Sequence, residues 1–329
     1  MWHARSRLWK SRAVSSITGW TLIGASFCGC SDSKSVVGPT GALFPTHHVE
    51  PAWSTRNIIA YRDEGIVCVD RGGGYTVDSA LVGIWLLDPA SGAKQRLIPN
   101  GSNPAWSPMG DKLSFELDGR VMVTSTDSIN YQHLSSSGQS HSSTWDPDGR
   151  RIAFDSNMQS PSGSFTIFVM NAAGGGAKSL GQPGSWEWRM PSWSPDGNSL
   201  AHVRFPGGAT ISSEIFVMDT TGASATRLTI NNVTDRYPAY SPDGSMLAFS
   251  RHGSNGIPQI WVMNSTGGGE PKLTSNGGAE PTWSPDGLEM AFVRENSHDS
   301  SPGGRVLWAI TLATRVERQL TQRWPQQCP

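Results

Sequence analysis

The sequence predicts an all-β fold in which six copies of one small antiparallel sheet form a ring. The first observation is a recurring phrase, an aromatic residue followed by Ser-Pro-Asp-Gly or a close variant. The second is its spacing, since the aromatic residues of successive copies lie 39 to 53 residues apart, near the length that four short strands need. The third is a turn-rich composition, with 37 Gly and 22 Pro among 329 residues. The copies begin at Trp53, Trp106, Trp145, Trp193, Tyr240 and Trp283.

The last copy shows how each repeat builds four strands. Residues 281–284 are extended, and Ser284-Pro285-Asp286-Gly287 is a turn in which Pro presets φ and Gly supplies the positive φ. The apolar and β-branched residues of 289–294, 306–310 and 317–321 predict the second, third and fourth strands. A sheet this small has two apolar faces, so the copies are expected to stack face to face as blades.

The unequal steps between copies have local explanations. The long first step contains Ile66-Val67-Cys68-Val69, which predicts an added hairpin, and the short second step contains Asp118-Gly119, which predicts a tight one. Ring closure has two readings. Residues 41–46 either imitate a fourth strand for the last blade, or that blade uses its own Leu320-Thr321. In both readings the first and last blades are neighbours.

The phrase Trp-Ser-Pro-Asp-Gly, followed by Leu-Ala-Phe, Ile-Phe-Val-Met-Asp and Leu-Thr, resembles the PD40 (WD40-like) repeat of the TolB-type β-propellers. The resemblance covers about residues 41–323, and it implies a six-bladed β-propeller with four antiparallel strands per blade, over residues 41–329. It implies little about function, because the same blade serves periplasmic scaffolds, peptidase propellers and sugar-active enzymes. TolB carries an α/β domain before its propeller, for which we expect no room between Cys30 and Trp53, so its role in the Tol–Pal system is not transferred.

The N-terminus has the pattern of an export signal. Arg5, Arg7, Lys10 and Arg12 precede an uncharged, mostly apolar stretch over 13–27. The segment that follows, Phe27-Cys28-Gly29-Cys30, resembles a bacterial lipobox, with Cys30 as the lipidated residue. We therefore expect a signal peptide over residues 1–30, a flexible tether over 31–40, and a membrane-anchored lipoprotein in the periplasm or on the outer surface. Plain signal cleavage and a retained anchor are the alternatives.

Two further cysteines, Cys68 and Cys328, lie in the first repeat and at the C-terminus. Export would place them in a disulfide-permissive compartment, where a bond between them would fasten the ring. The other reading is two unpaired cysteines, because sequence does not show the required Cα approach.

Composition and motifs predict no enzyme chemistry. A formal net charge of -1 gives no reason to expect nucleic acid as a partner. The sequence contains no Gly-x-Ser-x-Gly elbow, no phosphate-cradling loop before a helix, and no His-Glu-x-x-His or Cys-x-x-Cys pair. We therefore predict no catalytic residue, no cofactor and no metal.

Two groups of residues suggest a metal site, but each also has a simpler explanation. His202, His252 and His298 follow the second strands of three consecutive blades, but at different registers, so scattered histidines are favoured over a metal cluster. The Asp146-Pro147-Asp148-Gly149 segment suggests calcium, although turn chemistry explains it equally well.

One position near the end of the second strand carries Arg in three of the six copies. The residue three after the second-strand Ala is Arg204, Arg251 and Arg294 in blades 4, 5 and 6. Equivalent positions of a propeller lie at equal radius and height, so these residues predict an arc of positive charge for a carboxylate or an acidic partner. The alternative is that each Arg pairs with a turn aspartate, Asp196, Asp243 or Asp286.

A second candidate contact lies before blade 4. Trp186, Trp188 and Arg189 stand in a connection rather than in the aromatic positions that blade packing explains. Exposed Trp and Arg are typical of binding hot spots, so these residues are a candidate contact patch, with a packed loop as the alternative.

Together these features predict a non-enzymatic cell-envelope module. It would bind a protein or peptide through one face of the ring, using the Arg arc and the loops at 71–80, 184–189 and 295–304. The alternative is a carbohydrate-active, lyase-like or sugar-binding propeller that uses the central funnel.

Overall fold

The computed structural model describes residues 50–69, 75–127, 130–135, 137–160, 162–181, 186–206, 212–253, 255–295 and 305–321. The predictions for the signal peptide, Cys30, the tether, residues 41–46, His298 and Cys328 lie outside these residues, as does the side chain of Cys68. Every regular element in the described residues is a β-strand. None of these residues forms a helix long and apolar enough to cross a membrane.

Among the described residues, the strands form six blade sheets in chain order and one separate two-stranded sheet, which confirms the predicted six-bladed propeller. Blades 1–3 contain β1 (Ala52–Trp53), β2 (Ile59–Asp63), β3 (Ile66–Val69), β4 (Tyr75–Val77), β5 (Gly83–Leu87), β6 (Lys94–Pro99), β7 (Ser102–Trp106), β8 (Lys112–Leu117), β9 (Arg120–Ser125), β10 (Gln132–His133), β11 (Ser140–Trp145), β12 (Arg151–Ser156), β13 (Thr166–Asn171) and β14 (Lys178–Ser179). Blades 4–6 contain β15 (Trp186–Trp193), β16 (Ser199–Pro206), β17 (Glu214–Asp219), β18 (Ala225–Arg227), β19 (Asp235–Tyr240), β20 (Met246–His252), β21 (Pro258–Asn264), β22 (Ala279–Trp283), β23 (Glu289–Glu295), β24 (Arg305–Thr311) and β25 (Glu317–Gln319).

Each blade is an antiparallel sheet whose strands pair in chain order. The predicted hairpin in blade 1 is β3–β4, inserted between β2 and β5. In blade 5 the fourth strand is reduced to a single bridge between Trp261 and Lys272, next to Pro271, which has no N–H to donate to a ladder.

This topology gives the ring two different faces. The first-to-second and third-to-fourth strand turns lie at one end of every blade, which we call the turn face. The second-to-third strand loops and the connections between blades lie at the other end, which we call the loop face. The Ser-Pro-Asp-Gly turns are on the turn face, whereas the predicted Arg arc and Trp186 are on the loop face.

The apolar core consists of six clusters, one at each blade–blade interface. Between blades 3 and 4, for example, Ala153 and Ile167 pack against Leu200 and Met218, all four of them buried. The remaining five interfaces repeat this arrangement. Burial of apolar surface between blades is therefore what holds the ring together.

The turn after each first strand has the predicted geometry. In blade 4, Ser194 Oγ donates to Asp196 Oδ1 at 2.5 Å and accepts from the Ser199 amide at 2.9 Å. The Gly197 amide donates to the Ser194 carbonyl, and Gly197 has a φ of 72°. The turn aspartates thus stabilise their own turns, so the predicted pairing of each loop-face Arg with a turn aspartate is wrong.

The same turn also links neighbouring blades. The indole Nε1 of Trp106, Trp145 and Trp283 donates to the carbonyls of Ala52, Ala105 and Ala239 of the preceding blade, at 3.1, 3.1 and 3.0 Å. In blades 2 to 5 the Pro of the turn lies against the Gly of the next turn: a Cβ added to Gly197 would be 3.1 Å from Pro147 Cγ. The repeated phrase therefore specifies the ring as well as the turn.

Blades 1 and 6 are neighbours, as predicted, and close the ring through side chains. Ile59, Tyr61 and Leu87 pack against Ala291, Val293 and Leu307. The backbone amides of Glu50 and Trp53 donate to Glu280 Oε2 at 2.7 Å and Thr282 Oγ1 at 3.3 Å. Blade 6 takes all four strands of its sheet, β22 to β25, from consecutive residues.

Candidate functional site

A channel of about 180 Å³ runs between the six first strands. In blades 2 to 6 the pairing between the first and second strands has a register shift, which marks a β-bulge. One non-glycine residue with positive φ stands at each equivalent position; these residues are Glu50, Asn103, Ser142, Met190, Tyr237 and Glu280. Bulges re-aim side chains, and here they place one residue of every blade on the channel wall.

The channel wall formed by blades 5, 6 and 1 is acidic. Glu280 accepts the Glu50 amide and lies 3.6 Å from the guanidinium of Arg305. Burial, together with the charges of Glu280 and Glu50, raises the pKa of Tyr237 well above its usual value. The phenol therefore stays protonated at neutral pH.

Next to the channel, but outside its lining, residues of blades 2, 3 and 4 form a cluster that sequence reasoning missed. His141 Nδ1 lies 2.9 Å from Glu116 Oε2, and the fully buried Asp155 accepts the Met190 amide at 3.1 Å. Burial raises the pKa of Asp155 even though Arg189 and His141 oppose it. Burial lowers the pKa of His141, but the hydrogen bond and charge of Glu116 outweigh it, so the net shift is upward.

Arg189, one of the predicted contact residues, completes this cluster. Its guanidinium lies 2.9 Å from Glu187 Oε2, 4.0 Å from Asp155 Oδ2, and 3.6 Å from the centroid of the Phe165 ring. The visible signal for this cluster was Asp155 itself, a carboxylate within the buried Ile-Ala-Phe strand. Its role is not visible in one repeat, because its partners come from the next blade.

Arg204 occupies an aromatic stack at the loop-face end of blade 4. Its Cζ lies 4.0 Å from the Trp188 ring and 4.2 Å from the Phe216 ring, and its Nε donates to His202 Nε2 at 3.1 Å. Its cross-strand neighbour Glu214 binds Arg227 and Thr229 instead. Among the described residues, no carboxylate forms an ion pair with Arg204.

Arg251 and Arg294 occupy the equivalent positions but have internal partners. Arg251 forms a two-pronged pair with the buried Asp235, at 2.7 and 2.9 Å, and a second ion pair with Glu270 at 2.6 Å. Arg294 is buried and pairs with Glu317 at 2.9 Å. Two of the three predicted cations are therefore neutralised within their own blades.

The two predicted tryptophans lie on β15 rather than in a loop. Trp186 is 39% exposed at the start of the strand, where it pairs with Pro206. Trp188 is half-buried, between Arg204 and a stacked His202 whose ring centroid is 5.2 Å away. The structure therefore brings Trp186, Trp188, Arg189 and Arg204 together on blade 4.

His202 and Asp146, which belong to the histidine and calcium hypotheses, both have structural roles. His202 is fully buried, and burial and the Arg204 charge lower its pKa to about 3. Asp146 is buried and accepts from the backbone and Nε of Arg151, so its carboxylate serves the turn. No group of three or more metal-ligating side chains occurs in the part of the chain that the structure describes.

Residues 188–329, which contain blades 4–6 almost entirely, match the family model described as the TolB beta propeller domain. No curated protein matches the chain. A solved structure described as a TolB from Agrobacterium tumefaciens is 21% identical, with a TM-score of 0.62 over 72% of this chain and 87% of that one.

Two further solved structures are similar. TolB from Acinetobacter baumannii is 20% identical, with a TM-score of 0.53 over 73% of this chain and 65% of that one. An oligogalacturonate lyase in complex with manganese is 12% identical, with a TM-score of 0.53 over 82% of both chains. At these identities the likeness concerns the fold alone, which is a β-propeller.

Proposed function

We propose that the protein is a binding module of the bacterial cell envelope that recognises an acidic segment of a protein or peptide partner through its loop face. The observation that carries the proposal is that an exposed Trp186 and Arg204 lie on adjacent strands of one blade, with Trp186 paired to Pro206, two residues after Arg204. Trp and Arg side chains dominate binding hot spots, because they combine a large contact area with directional hydrogen bonding.

Arg204 is the member of the predicted arc best suited to an external anion. Its aromatic stack holds the guanidinium in place, so little side-chain freedom is lost when a carboxylate binds. Arg251 and Arg294 are held by carboxylates of their own blades and contribute rigidity instead. The proposed binding site for an acidic segment therefore uses Arg204 of blade 4, and not Arg251 or Arg294 of blades 5 and 6.

The test uses the whole protein as bait against detergent-solubilised envelope. Wild type is compared with Arg204→Gln and Trp186→Ala, and with Arg120→Gln, an exposed Arg on the loop face of blade 2, as the matched control. We expect recovery of the partner to fall about tenfold with the first two variants and to stay unchanged with the control. Equal recovery by all four baits overturns the proposal.

The envelope location rests on the sequence of the N-terminus and on the likeness to TolB propellers. We propose that Cys30 becomes a lipidated mature N-terminus that tethers the propeller to a membrane. Intact-mass measurement of protein from a bacterial membrane fraction should show a diacylglyceryl Cys30. A mature chain that starts elsewhere, without lipid, contradicts the anchor but not the loop-face site.

A further inference from the structure

Grooves lie on the turn face between successive blades, and one of them differs chemically from its equivalents. The groove between blades 5 and 6 has a volume of about 420 Å³, and that between blades 4 and 5 about 440 Å³. Both are lined by the Pro and Asp of one turn, the third and fourth strands of the same blade, and the aromatic residue of the next turn.

Three equivalent positions set the character of each groove. The first is the residue at, or immediately before, the start of the second strand, and the second lies two residues before the Leu in or just after the fourth strand or bridge. The third is the first residue after the third strand of the next blade or, where the next blade is blade 1, the second residue after it. In the groove between blades 4 and 5 they are Ser199, Thr226 and Ser265. In the groove between blades 5 and 6 they are Met246, Pro271 and Leu312.

At each of the other four junctions between blades, at least one of the equivalent positions is polar. Their residues at the three positions are Ile58, Gln95 and Thr126; Lys112, Gln132 and Ala172; Arg151, Lys178 and Thr220; and Glu289, Arg318 and Pro89. Among the described residues, only the groove between blades 5 and 6 is apolar at all three positions.

Polar side chains close some of the other grooves. Arg151 lies 4.7 Å over the ring of Trp193, which is only 6% exposed. Between blades 6 and 1, Arg318 and Glu289 form an ion pair at 2.6 Å. Met246 and Pro271 supply no such cover, and the ring of Trp283 remains half-exposed.

The rim of this groove extends the apolar surface. Leu288 is 64% exposed and Val316 62% exposed, and each is adjacent in sequence to a lining residue. They are two of the five large apolar side chains that are exposed in the described residues. Exposed large apolar side chains next to a groove are typical of interaction sites.

The charges beside the groove indicate what binds there. Asp243 and Asp286 line it, and within the described residues each accepts hydrogen bonds from its own turn alone. Those bonds lower the pKa of both carboxyls, so both are ionised at neutral pH. The single cation of the lining, Arg315, donates to the carbonyls of Lys272 and Leu273.

We propose that the turn-face groove between blades 5 and 6 binds a peptide segment of a protein partner, which inserts a bulky apolar side chain flanked by Lys or Arg. The apolar side chain would fill the space beside Trp283, Met246 and Leu312. The basic flank would face Asp243 and Asp286. This site is on the face opposite to Arg204, and it is independent of the loop-face proposal.

The neighbouring groove supplies a variant expected to fold. Met246→Ser, Pro271→Thr and Leu312→Ser together give the groove the residues that already stand between blades 4 and 5. The probes are fluorescent twelve-residue peptides with a central Trp or Leu flanked by Lys, and the same peptides flanked by Glu. Binding to the full propeller is measured by fluorescence anisotropy, and folding is checked by thermal unfolding.

We expect Lys-flanked peptides to bind wild type at least about tenfold more tightly than they bind the triple variant, and more tightly than the Glu-flanked peptides bind wild type. Arg204→Gln should leave this binding unchanged, which separates the two proposals. Equal binding by wild type and the triple variant, or equal binding of both peptide classes, overturns the proposal. So does wild-type dimerisation in sedimentation that the triple variant abolishes, since the occupant would then be a second copy of this chain.

Discussion

The indole Nε1 of Trp283 donates a hydrogen bond of 3.0 Å to the carbonyl of Ala239, and this bond joins blade 6 to blade 5. Trp106 and Trp145 make the same bond to the blades before them. The aromatic residue of the repeated phrase is thus both an apolar packing unit and a directional link between blades.

Trp283→Phe should lower the free energy of unfolding by about 1 kcal/mol more than Trp193→Phe. Both changes remove the same volume, but the indole N–H of Trp193 has no hydrogen-bond partner among the described residues. Urea unfolding of the two variants measures the difference. Equal losses of stability would show that packing alone accounts for the aromatic residue at this position in the six copies.

Arg251→Gln should destabilise the protein strongly, by about 3 kcal/mol, because it leaves the buried carboxylate of Asp235 without its partner. Arg204→Gln should cost less than Arg251→Gln, because it removes two cation–π contacts and the hydrogen bond to His202 but leaves no buried charge without its partner. Thermal and urea unfolding compare them. Arg251→Gln combined with Asp235→Asn should recover part of the loss, and a failure to recover would argue against the buried charge as its cause.

His202 should make stability fall with acid in a defined window. Arg204 Nε–H donates to His202 Nε2, so that nitrogen must be unprotonated in the folded protein. The folded pKa is about 3, whereas an unfolded chain protonates His near pH 6.5. The stabilisation is therefore fully present above about pH 6.5, and it declines as the pH falls towards 3.

His202→Phe preserves the aromatic stack and removes the titrating group. Between pH 6 and 4, the free energy of unfolding of wild type should fall by about 1.4 kcal/mol per pH unit more than that of the variant. Urea unfolding at several pH values gives both slopes. Parallel slopes would mean that His202 takes up a proton in the native state.

Gly197→Ala tests the contact between successive turns. Gly197 and Gly92 both have positive φ, 72° and 73°, so Ala at either position costs about 1 kcal/mol in backbone strain. A Cβ at Gly197 would also press on Pro147, while nothing lies within 4 Å of one at Gly92. We expect Gly197→Ala to lower the melting temperature further than Gly92→Ala. Equal shifts in melting temperature would mean that the contact between successive turns does not contribute to stability.

Local chemistry explains what the sequence predicted well. Ser284, Asp286 and Gly287 form their turn from residues within one phrase, so a single copy contains all the required information. The six copies then fix the number of blades. The β3–β4 hairpin was predicted equally well, because its two strands are close together in the chain.

The site was predicted less completely because its partners come from different blades or strands. Arg204 and Arg251 look alike in sequence, yet Asp235 pairs with Arg251, whereas Glu214 beside Arg204 is taken by Arg227. Asp155 acquires its role from Arg189 and Met190 of the next blade. Such contacts depend on which side chains meet across strands and between blades, and the repeated motif is the same whichever partners are present.

The way in which blades 1 and 6 meet has a consequence for the history of the chain. Because the four described strands of blade 6 come from consecutive residues, duplication or loss of one coding unit would add or remove a complete set of four strands without splitting any other described sheet. The seam of Tyr61, Val293 and Leu307 would then have only to re-form between whichever blades became terminal. A propeller built in this way can change its number of blades in single genetic steps.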